Sequence, residues 1–157
     1  MAQYQRILIA VDRSDLTESM MTTAIEMAKT YQSSLRILHC LTLPLPTQLD
    51  FGDRYRDSIQ ESMAIAQQQL DDSLEHTRQW LVALEQQATD SGIDETAWDW
   101  RHGNPGPQIC HMAESWPADL ILLGRRNRGG LRAALLGSVS NYVVHHAPCS
   151  VLVVQGD

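Results

Sequence analysis

Lysine is almost missing from this chain of 157 residues, and its scarcity excludes several nucleotide-binding motifs. Lys29 is the only lysine, so the other eleven basic residues are arginines. A P-loop ends in Gly-Lys-Ser/Thr and a protein kinase needs a lysine on a strand, whereas Lys29 lies in the first predicted helix. No Gly-x-Gly-x-x-Gly follows the first predicted strand, which removes the dinucleotide-binding fingerprint as well.

Cysteines and long apolar runs are also scarce. The three cysteines (Cys40, Cys110 and Cys149) form no Cys-x-x-Cys pair, so neither a disulfide framework nor a cysteine-rich zinc site is expected. Such a set is typical of buried thiols in a reducing cytosol, and we expect a cytoplasmic protein. The apolar stretches are far shorter than the ~20 residues of a membrane-spanning helix, and residues 1–6 are too polar for a signal peptide.

The composition favours one globular domain over residues 1–157. It is 43% hydrophobic and 20% charged, close to an ordinary globular domain. The formal net charge is −7. A protein that binds duplex nucleic acid needs Lys and Arg to neutralise phosphates, so nucleic acid is not expected as a partner. A membrane is not expected either, because the apolar stretches are too short to span one.

Short apolar runs alternate with amphipathic segments along the chain. Strands are predicted at residues 4–12, 35–41, 96–102, 119–124 and 149–154. Helices are predicted at residues 16–31, 57–90, 105–115 and 138–146, the first of them capped by Ser14 or Asp15. Continuous apolar runs suit strands that are buried on both faces, and the alternation predicts a mainly parallel sheet covered by helices. The run at 96–102 alternates in polarity, as an edge strand does.

The segment 57–90 is longer than most globular helices. Its apolar stripe recurs every three or four residues: Ile59, Met63, Ala66, Leu70, Leu74, Thr77, Leu81, Leu84 and Ala88. A coiled coil is the alternative, but the stripe contains alanine and threonine and the opposite face is rich in glutamine. We therefore predict a surface helix packed on the sheet, ended by Gly92 as the residue after the cap.

The segment from Gly124 to Ser140 is the most informative part of the chain for function. A strand runs into Gly124, an arginine-rich loop follows, and Gly137-Ser138 opens a helix. Helix N-termini offer N–H groups and partial positive charge to phosphates, and glycine lets the backbone approach them closely. The alternative is a solvated arginine-rich connection with Ser138 as an ordinary cap.

Four stretches of this sequence resemble universal stress proteins of the UspA type, over essentially the whole chain. They are the opening Ile-Leu-Ile-Ala-Val-Asp-Arg-Ser-Asp, Leu38-His39-Cys40, the spacing Gly124-x2-Asn127-x9-Gly137-Ser138, and the run 138–154. Asn127 stands where the nucleotide-binding members have glycine. Asparagine is the non-glycine residue that best tolerates positive φ.

The resemblance implies an adenine nucleotide alpha hydrolase-like α/β fold, with an open five-stranded parallel sheet in the order 3-2-1-4-5 and helices on both faces. It also implies that ATP, ADP or AMP, alone or with Mg²⁺, binds at the carboxyl edge of the sheet. The residues implied for nucleotide binding are Ala10, Val11, Asp12, Cys40, Leu123, Gly124, Arg126, Asn127, Gly137, Ser138, Val139 and Ser140.

Each group of these residues has an implied role, and Ala10, Val11 and Asp12 would line the adenine and ribose side. Asp12 would take a ribose hydroxyl or a metal-bound water, with a turn that caps the first helix as its alternative role. The backbone of Cys40 would read the adenine edge, and Leu123 and Gly124 would touch the ribose. The residues from position 126 onward would hold the phosphates.

Other conspicuous side chains point to structure rather than chemistry. His39 is predicted to be a core or rim histidine, and no catalytic residue or metal ligand is assigned. Neighbouring pairs on helices point in different directions and lack a third ligand; these are His145-His146 and Cys110-His111. Three tryptophans are expected to pack near the edge strand: Trp98, Trp100 and Trp116.

The leading functional hypothesis is an adenine-nucleotide-binding regulatory or stress-response module with little or no catalysis. Two alternatives stay open: a slow ATP hydrolase or phosphotransferase at the same site, and a nucleotide-free dimeric protein that binds an unidentified protein partner. The run from Cys149 to Val154 is apolar on both faces and lies at a sheet edge in the implied order. We expect it to pair with its own copy in a homodimer.

Overall fold

The computed structural model describes residues 3–42, 56–125 and 136–156, with side chains described from residue 58 onward in the middle stretch. The strands are β1 (Arg6–Val11), β2 (Ser34–Leu41), β3 (Thr96–His102), β4 (Leu120–Arg125) and β5 (Ser150–Gln155). The helices are α1 (Leu16–Tyr31), α2 (Arg56–Asp90), α3 (Pro105–Ser115) and α4 (Ser138–His146). Elements therefore form where the apolar runs and stripes predicted them, within a few residues at each end.

The five strands form one parallel sheet in the order β3-β2-β1-β4-β5. Ile9 in the central strand is opposite Ile37 on one side and Leu122 on the other. The chain builds outward from β1 through β2 to β3 and then returns to the other side of β1 for β4. This order confirms the expected topology, and it places the reversal of strand order between β1 and β4.

Helices cover both faces of the sheet, and a separate apolar core lies on each. On one face α1 and α2 pack on the odd-numbered residues of β1, including Ile7 and Ile9. On the other face α3 and α4 pack on Leu8 and its neighbours. Strands buried on both sides must be apolar throughout, which explains their continuous hydrophobic runs.

Only the second half of α2 packs as its stripe predicted. Leu81, Leu84 and Ala88 are buried on the sheet. In residues 58–73, by contrast, only Ile59 and Leu70 are even half-buried, and Met63 is 58% exposed. The expectation of packing along the whole helix was therefore wrong for this half. The physical reason is length: a helix of 35 residues is about 50 Å long, whereas the eight residues of β2 span about 26 Å, so the strands are too short to cover the whole helix.

Gly92 ends α2 as predicted. Its φ of +93° lies in the left-handed region that favours glycine. Its N–H donates to the carbonyl of Thr89 (2.9 Å), and the N–H of Ile93 donates to that of Ala88 (3.2 Å), as in a Schellman motif. At the start of α1, Asp15 occupies the N-cap position, but its side chain makes no cap hydrogen bond. No helix in the described stretches is long and apolar enough to cross a membrane.

Candidate functional site

A cavity of about 770 Å³ opens at the carboxyl ends of the strands, where the strand order reverses. In open α/β sheets this is the usual place for a ligand. All ten predicted site residues that the structure describes line it: Ala10, Val11, Asp12, Cys40, Leu123, Gly124, Gly137, Ser138, Val139 and Ser140. The other two, Arg126 and Asn127, lie outside the described residues.

Sequence reasoning did not assign eight further lining residues: Ser14, Leu16, Met20, Leu38, Pro105, Ile109, Arg125 and Leu136. For Pro105 a signal existed, because a helix that follows β3 must begin at the carboxyl edge. The sequence held no such signal for Leu16 and Met20, since they belong to the apolar stripe by which α1 packs on the core. Their side chains serve the core and the cavity wall together.

Asp12 stabilises the turn after β1 and also lines the cavity. Its Oδ1 accepts the N–H of Ser14 (3.0 Å), and its carbonyl accepts the hydroxyl of Thr17. The turn role weighed for this residue is therefore present. A carboxylate can accept at both oxygens, so this bond is compatible with a hydroxyl donated by a ligand.

The first turn of α4 presents backbone N–H groups at the cavity. Gly137 is the N-cap, with φ −60° and ψ 163°, and no side chain caps the helix. The first bond of the helix runs from the N–H of Asn141 to the carbonyl of Gly137 (2.8 Å). The N–H groups of Ser138, Val139 and Ser140 precede it, so none of them has an acceptor within the helix. Ser138 is thus the first helical residue, and its reading as an ordinary cap was wrong.

The two glycines of the predicted motif have different surroundings. A Cβ added to Gly124 would stand 2.7 Å from Sδ of Met20 and 3.3 Å from Cδ1 of Leu16, so this glycine lets α1 pack closely on β4. A Cβ added to Gly137 would meet nothing nearer than Oγ of Ser140, at 4.0 Å. A side chain at Gly124 would therefore displace Met20 and Leu16, whereas the space beside Gly137 is open.

Cys40 lies in β2 just beyond the end of β1. The carbonyl of Leu41 accepts the N–H of Gly103 (3.2 Å) on the β3 side, so the backbone groups of Cys40 face the β1 side. There the register ends at Val11, opposite His39, one residue earlier. The backbone of Cys40 therefore borders the gap that opens where β1 turns away.

The thiols are free and weakly acidic. Burial raises the pKa of Cys40 to about 11, although the nearby Arg101 opposes the shift. Burial also raises the pKa of Cys110 and Cys149. Cys110 is buried as expected, while Cys40 and Cys149 are only half-buried. All three are therefore protonated at neutral pH and poor nucleophiles.

The remaining candidates pack away from the cavity. His39 is a rim residue on the α2 side, where its Nδ1 bonds the carbonyl of Val11 (2.9 Å). Trp98 and Trp100 contact each other edge to face on β3, and the ring of Trp116 lies under the guanidinium of Arg36. Among the residues with described side chains, no three His, Cys, Asp or Glu gather as a metal site.

The electrostatics of the cavity favour an anion even though the chain is acidic. α1, α3 and α4 all begin at the carboxyl edge, and residues at or beside their starts (Leu16, Pro105 and Gly137) line the cavity. Each helix N-terminus carries about half a positive charge. Arg125 adds a full charge at the end of β4. Against these, Asp12 is the one carboxylate among the lining residues that the structure describes.

Comparison with known proteins gives a consistent result. Residues 3–155 match the universal stress protein family. Universal stress protein Sll1388 from Synechocystis is 36% identical over 152 residues, which cover 97% of this chain and 98% of that protein. The structure of universal stress protein UspA from Lactobacillus plantarum is 25% identical with a TM-score of 0.72, covering 96% of this chain and 97% of that one.

A universal stress protein from Archaeoglobus fulgidus, solved in complex with dAMP, shares the fold at 20% identity. Its TM-score is 0.63, and the alignment covers 96% of this chain and 98% of that one. The strand order, the position of the cavity and the 36% identity to a full-length relative all agree with the family match. The chain belongs to the universal stress protein family.

Proposed function

We propose that this protein binds an adenine nucleotide (ATP, ADP or AMP) in the cavity and acts as a regulatory or stress-response module with little or no catalysis. The observation that carries the proposal is the start of α4. Three consecutive N–H groups without a helical acceptor border the cavity, next to a glycine whose missing side chain leaves open space. That arrangement suits a phosphate group. The relative solved with dAMP supports the adenine nucleotide class.

The lining residues divide between a polar and an apolar side, as a nucleotide requires. Gly137, Ser138 and Arg125 supply donors and positive charge for phosphates. Ala10, Pro105 and Val139, which are partly exposed, give apolar contact for a base, beside the backbone of Cys40. Asp12 would accept a ribose hydroxyl.

Binding is favoured over phosphoryl transfer because the described wall offers little catalytic machinery. Its one carboxylate, Asp12, already accepts the N–H of Ser14, and the chain's single lysine lies in α1. Phosphoryl transfer relies on groups that position the nucleophile and neutralise the charge on the phosphates. If Mg²⁺ accompanies the nucleotide, Asp12 is the residue that would face it, directly or through water. The ion would neutralise phosphate charge.

The proposal is tested by calorimetric titration of the purified protein with ATP, ADP and AMP, with and without Mg²⁺. Mass spectrometry after denaturation would detect a nucleotide that copurifies. We expect Ser138→Ala to weaken binding severalfold, whereas Ser19→Ala, an exposed serine on α1, serves as the matched control. Failure of all three nucleotides to bind at millimolar concentration would leave the partner-binding alternative. ATP turnover above the Ser138→Ala background would favour the hydrolase.

We also propose a homodimer that forms through β5. This strand pairs only with β4 in the described part of the sheet, so its other edge is exposed. Four consecutive apolar residues in it, Val151 to Val154, are only half-buried. A bare apolar edge favours aggregation unless a partner covers it. Antiparallel pairing of two copies about a two-fold axis would satisfy the backbone groups of both edges.

The backbone alternation of β5 shows which substitution tests the dimer. The N–H of Gly156 points to β4, where it bonds the carbonyl of Arg125 (3.4 Å). The N–H of Val153, three residues earlier, therefore points outward. Val153→Pro would remove one edge donor without removing a bond to β4, while Val153→Ala keeps the donor as a control. Light scattering should give twice 17.6 kDa for the wild type and a lower mass for the proline variant. A wild-type mass near 17.6 kDa at tens of micromolar would refute this dimer.

A further inference from the structure

A cluster of three side chains lies behind the candidate site, on the α2 side of the sheet. These are Arg13, His39 and Trp80, and we call them the Trp80 cluster. The guanidinium carbon of Arg13 lies 5.1 Å from the ring centroid of Trp80. Its Nη2 also donates to Oγ1 of Thr77, at 3.3 Å. Arg13 is thus joined to α2 by a cation–π contact and a hydrogen bond.

His39 approaches the same ring from the sheet. Its ring centroid lies 5.1 Å from that of Trp80, with the planes at 89°. Its Nδ1 lies 2.9 Å from the carbonyl oxygen of Val11. Since a carbonyl can only accept, Nδ1 carries the hydrogen in this bond. Trp80 therefore contacts two residues that hold the carboxyl ends of β1 and β2.

These contacts lie next to the two residues that we propose to face the adenosine part of the nucleotide. Val11 and Arg13 flank Asp12, and His39 directly precedes Cys40. Neither Arg13, His39 nor Trp80 lines the cavity. Their side chains act on the opposite side of the same backbone, where α2 supports it.

Trp80 is firmly held in its own helix. Leu81 and Leu84 are buried in the core beside it, and Thr77 is 3% exposed. The hydroxyl of Thr77 donates to the carbonyl of Ser73 (2.9 Å) while it accepts from Arg13. Arg13, in the β1–α1 turn, is thus held in place by its contacts with Thr77 and Trp80 of α2.

We propose that the Trp80 cluster positions the nucleotide site, so that the packing of α2 against Arg13 and His39 sets the affinity for adenine nucleotides. The inference rests on the proposed function. Asp12 and the Cys40 backbone must face a ligand at fixed distances, and misplacement of either weakens the contacts that both make. Trp80 is a positioning residue, because it touches the site only through its neighbours.

A positioning role and direct phosphate contact by Arg13 predict different results. A cation that binds the terminal phosphates would, when removed, weaken ATP binding far more than AMP binding. The Trp80 cluster acts at Asp12 and Cys40, on the adenosine side that all three nucleotides share. Its loss should therefore weaken ATP, ADP and AMP binding by the same factor.

The experiment compares four variants with the wild type by calorimetric titration with ATP and AMP in the absence of Mg²⁺, so that Asp12 acts on the adenosine side alone. We expect Trp80→Ala and Arg13→Ala each to raise Kd by roughly threefold to tenfold, the range for a partly exposed ring–cation contact with a hydrogen bond. Trp80→Phe keeps a ring beneath Arg13 and should retain most of the affinity. Arg78→Ala, which removes an exposed ion pair with Glu75 on the same helix, should change nothing.

The double variant Trp80→Ala/Arg13→Ala gives a second readout. The two residues share the cation–π contact, so the loss of binding free energy in the double variant should be smaller than the sum of the two single losses. Amide hydrogen exchange at Ser14 and Thr17, measured without nucleotide, should be faster in Arg13→Ala than in Arg78→Ala. Arg13 is exposed, so this variant is expected to fold even if Trp80→Ala does not.

Three results would overturn the inference. They are an unchanged Kd in Arg13→Ala, a loss confined to ATP, and additive losses in the double variant. If the wild type binds no nucleotide, the proposed function fails on its own. The exchange measurement then still decides whether the cluster holds the turn, since unchanged exchange in Arg13→Ala would refute that too.

Discussion

Replacement of Gly137 by valine gives the sharpest test of how the site is built. The glycine is the N-cap of α4, at the point where the helix meets the cavity. Its φ of −60° and ψ of 163° are open to any residue, so no conformational reason requires glycine here. The nearest atom to an added Cβ is Oγ of Ser140, at 4.0 Å. The expected effect is therefore on binding and not on folding.

The folding cost can be bounded from these values. Replacing a glycine in a compatible conformation restricts the unfolded chain and stabilises by about 0.4–1 kcal/mol. Valine is a poorer N-cap than glycine, by a comparable amount. The two terms offset, and the free energy of unfolding should stay within about 1 kcal/mol of the wild-type value.

The binding cost is larger, because the new side chain would stand where a phosphate approaches the first turn. Loss of one hydrogen bond to a charged group is worth about 1.5–3 kcal/mol, or roughly tenfold to hundredfold in Kd for ATP. Gly124→Ala is the matched contrast in the same motif. Its Cβ would press on Met20 and Leu16, so it should lose about 1–3 kcal/mol of stability.

Urea unfolding and ATP calorimetry on both variants complete the test. Gly137→Val should unfold like the wild type and bind poorly, whereas Gly124→Ala should unfold at lower urea. Wild-type ATP affinity in Gly137→Val would refute the placement of the phosphates at α4. A large loss of stability in that variant would instead contradict the open space beside Gly137.

Three further predictions concern pH, salt and the loop. Burial raises the pKa of Cys40 from 9.0 to about 11 on folding, so its contribution to stability is present below pH 9 and is lost as pH rises through 11. The free energy of unfolding, measured in urea, should therefore fall less steeply between pH 9 and 11 for Cys40→Ala than for the wild type, and identical slopes would contradict this. ATP affinity should fall with added salt, and Arg126→Ala should lose more affinity for ATP than for AMP, since equal losses would place Arg126 away from the terminal phosphates. Asn127→Gly should bind ATP at least as well as the wild type and Asn127→Val less well, because a β-branched residue tolerates positive φ poorly; normal binding by the valine variant would exclude a left-handed turn there.

The sheet and the place of the cavity could be predicted from the sequence because both follow from local patterns. Residues 120–123 form a continuous apolar run, as is typical of a strand covered on both faces. Once strands and helices alternate, every helix begins at the carboxyl edge of the sheet. Gly124 and Ser138 must then lie at the same edge, although fourteen positions separate them.

Features that depend on distance in space could not be predicted in the same way. The stripe of α2 identifies which side of the helix is apolar, but it carries no information on how far the sheet extends beneath it. Met63 therefore follows the same spacing as Leu81, yet only Leu81 is buried. Likewise nothing in the sequence indicated that Arg13 would stack on Trp80, because 67 positions separate them and cation–π contacts have no periodicity.

The exposure of residues 58–73 in α2 implies that one continuous helix tolerates substitutions for two different reasons. At the buried positions Thr77, Leu81, Leu84 and Ala88, side-chain volume decides which substitutions survive, since a change there leaves a void or a clash in the core. In residues 58–73, helix propensity and solubility decide, because nearly every side chain there meets water. Relatives should therefore vary freely in residues 58–73 while they keep the four buried side chains nearer the end of the helix. An engineered tag or dye placed in residues 58–73 would leave the core intact.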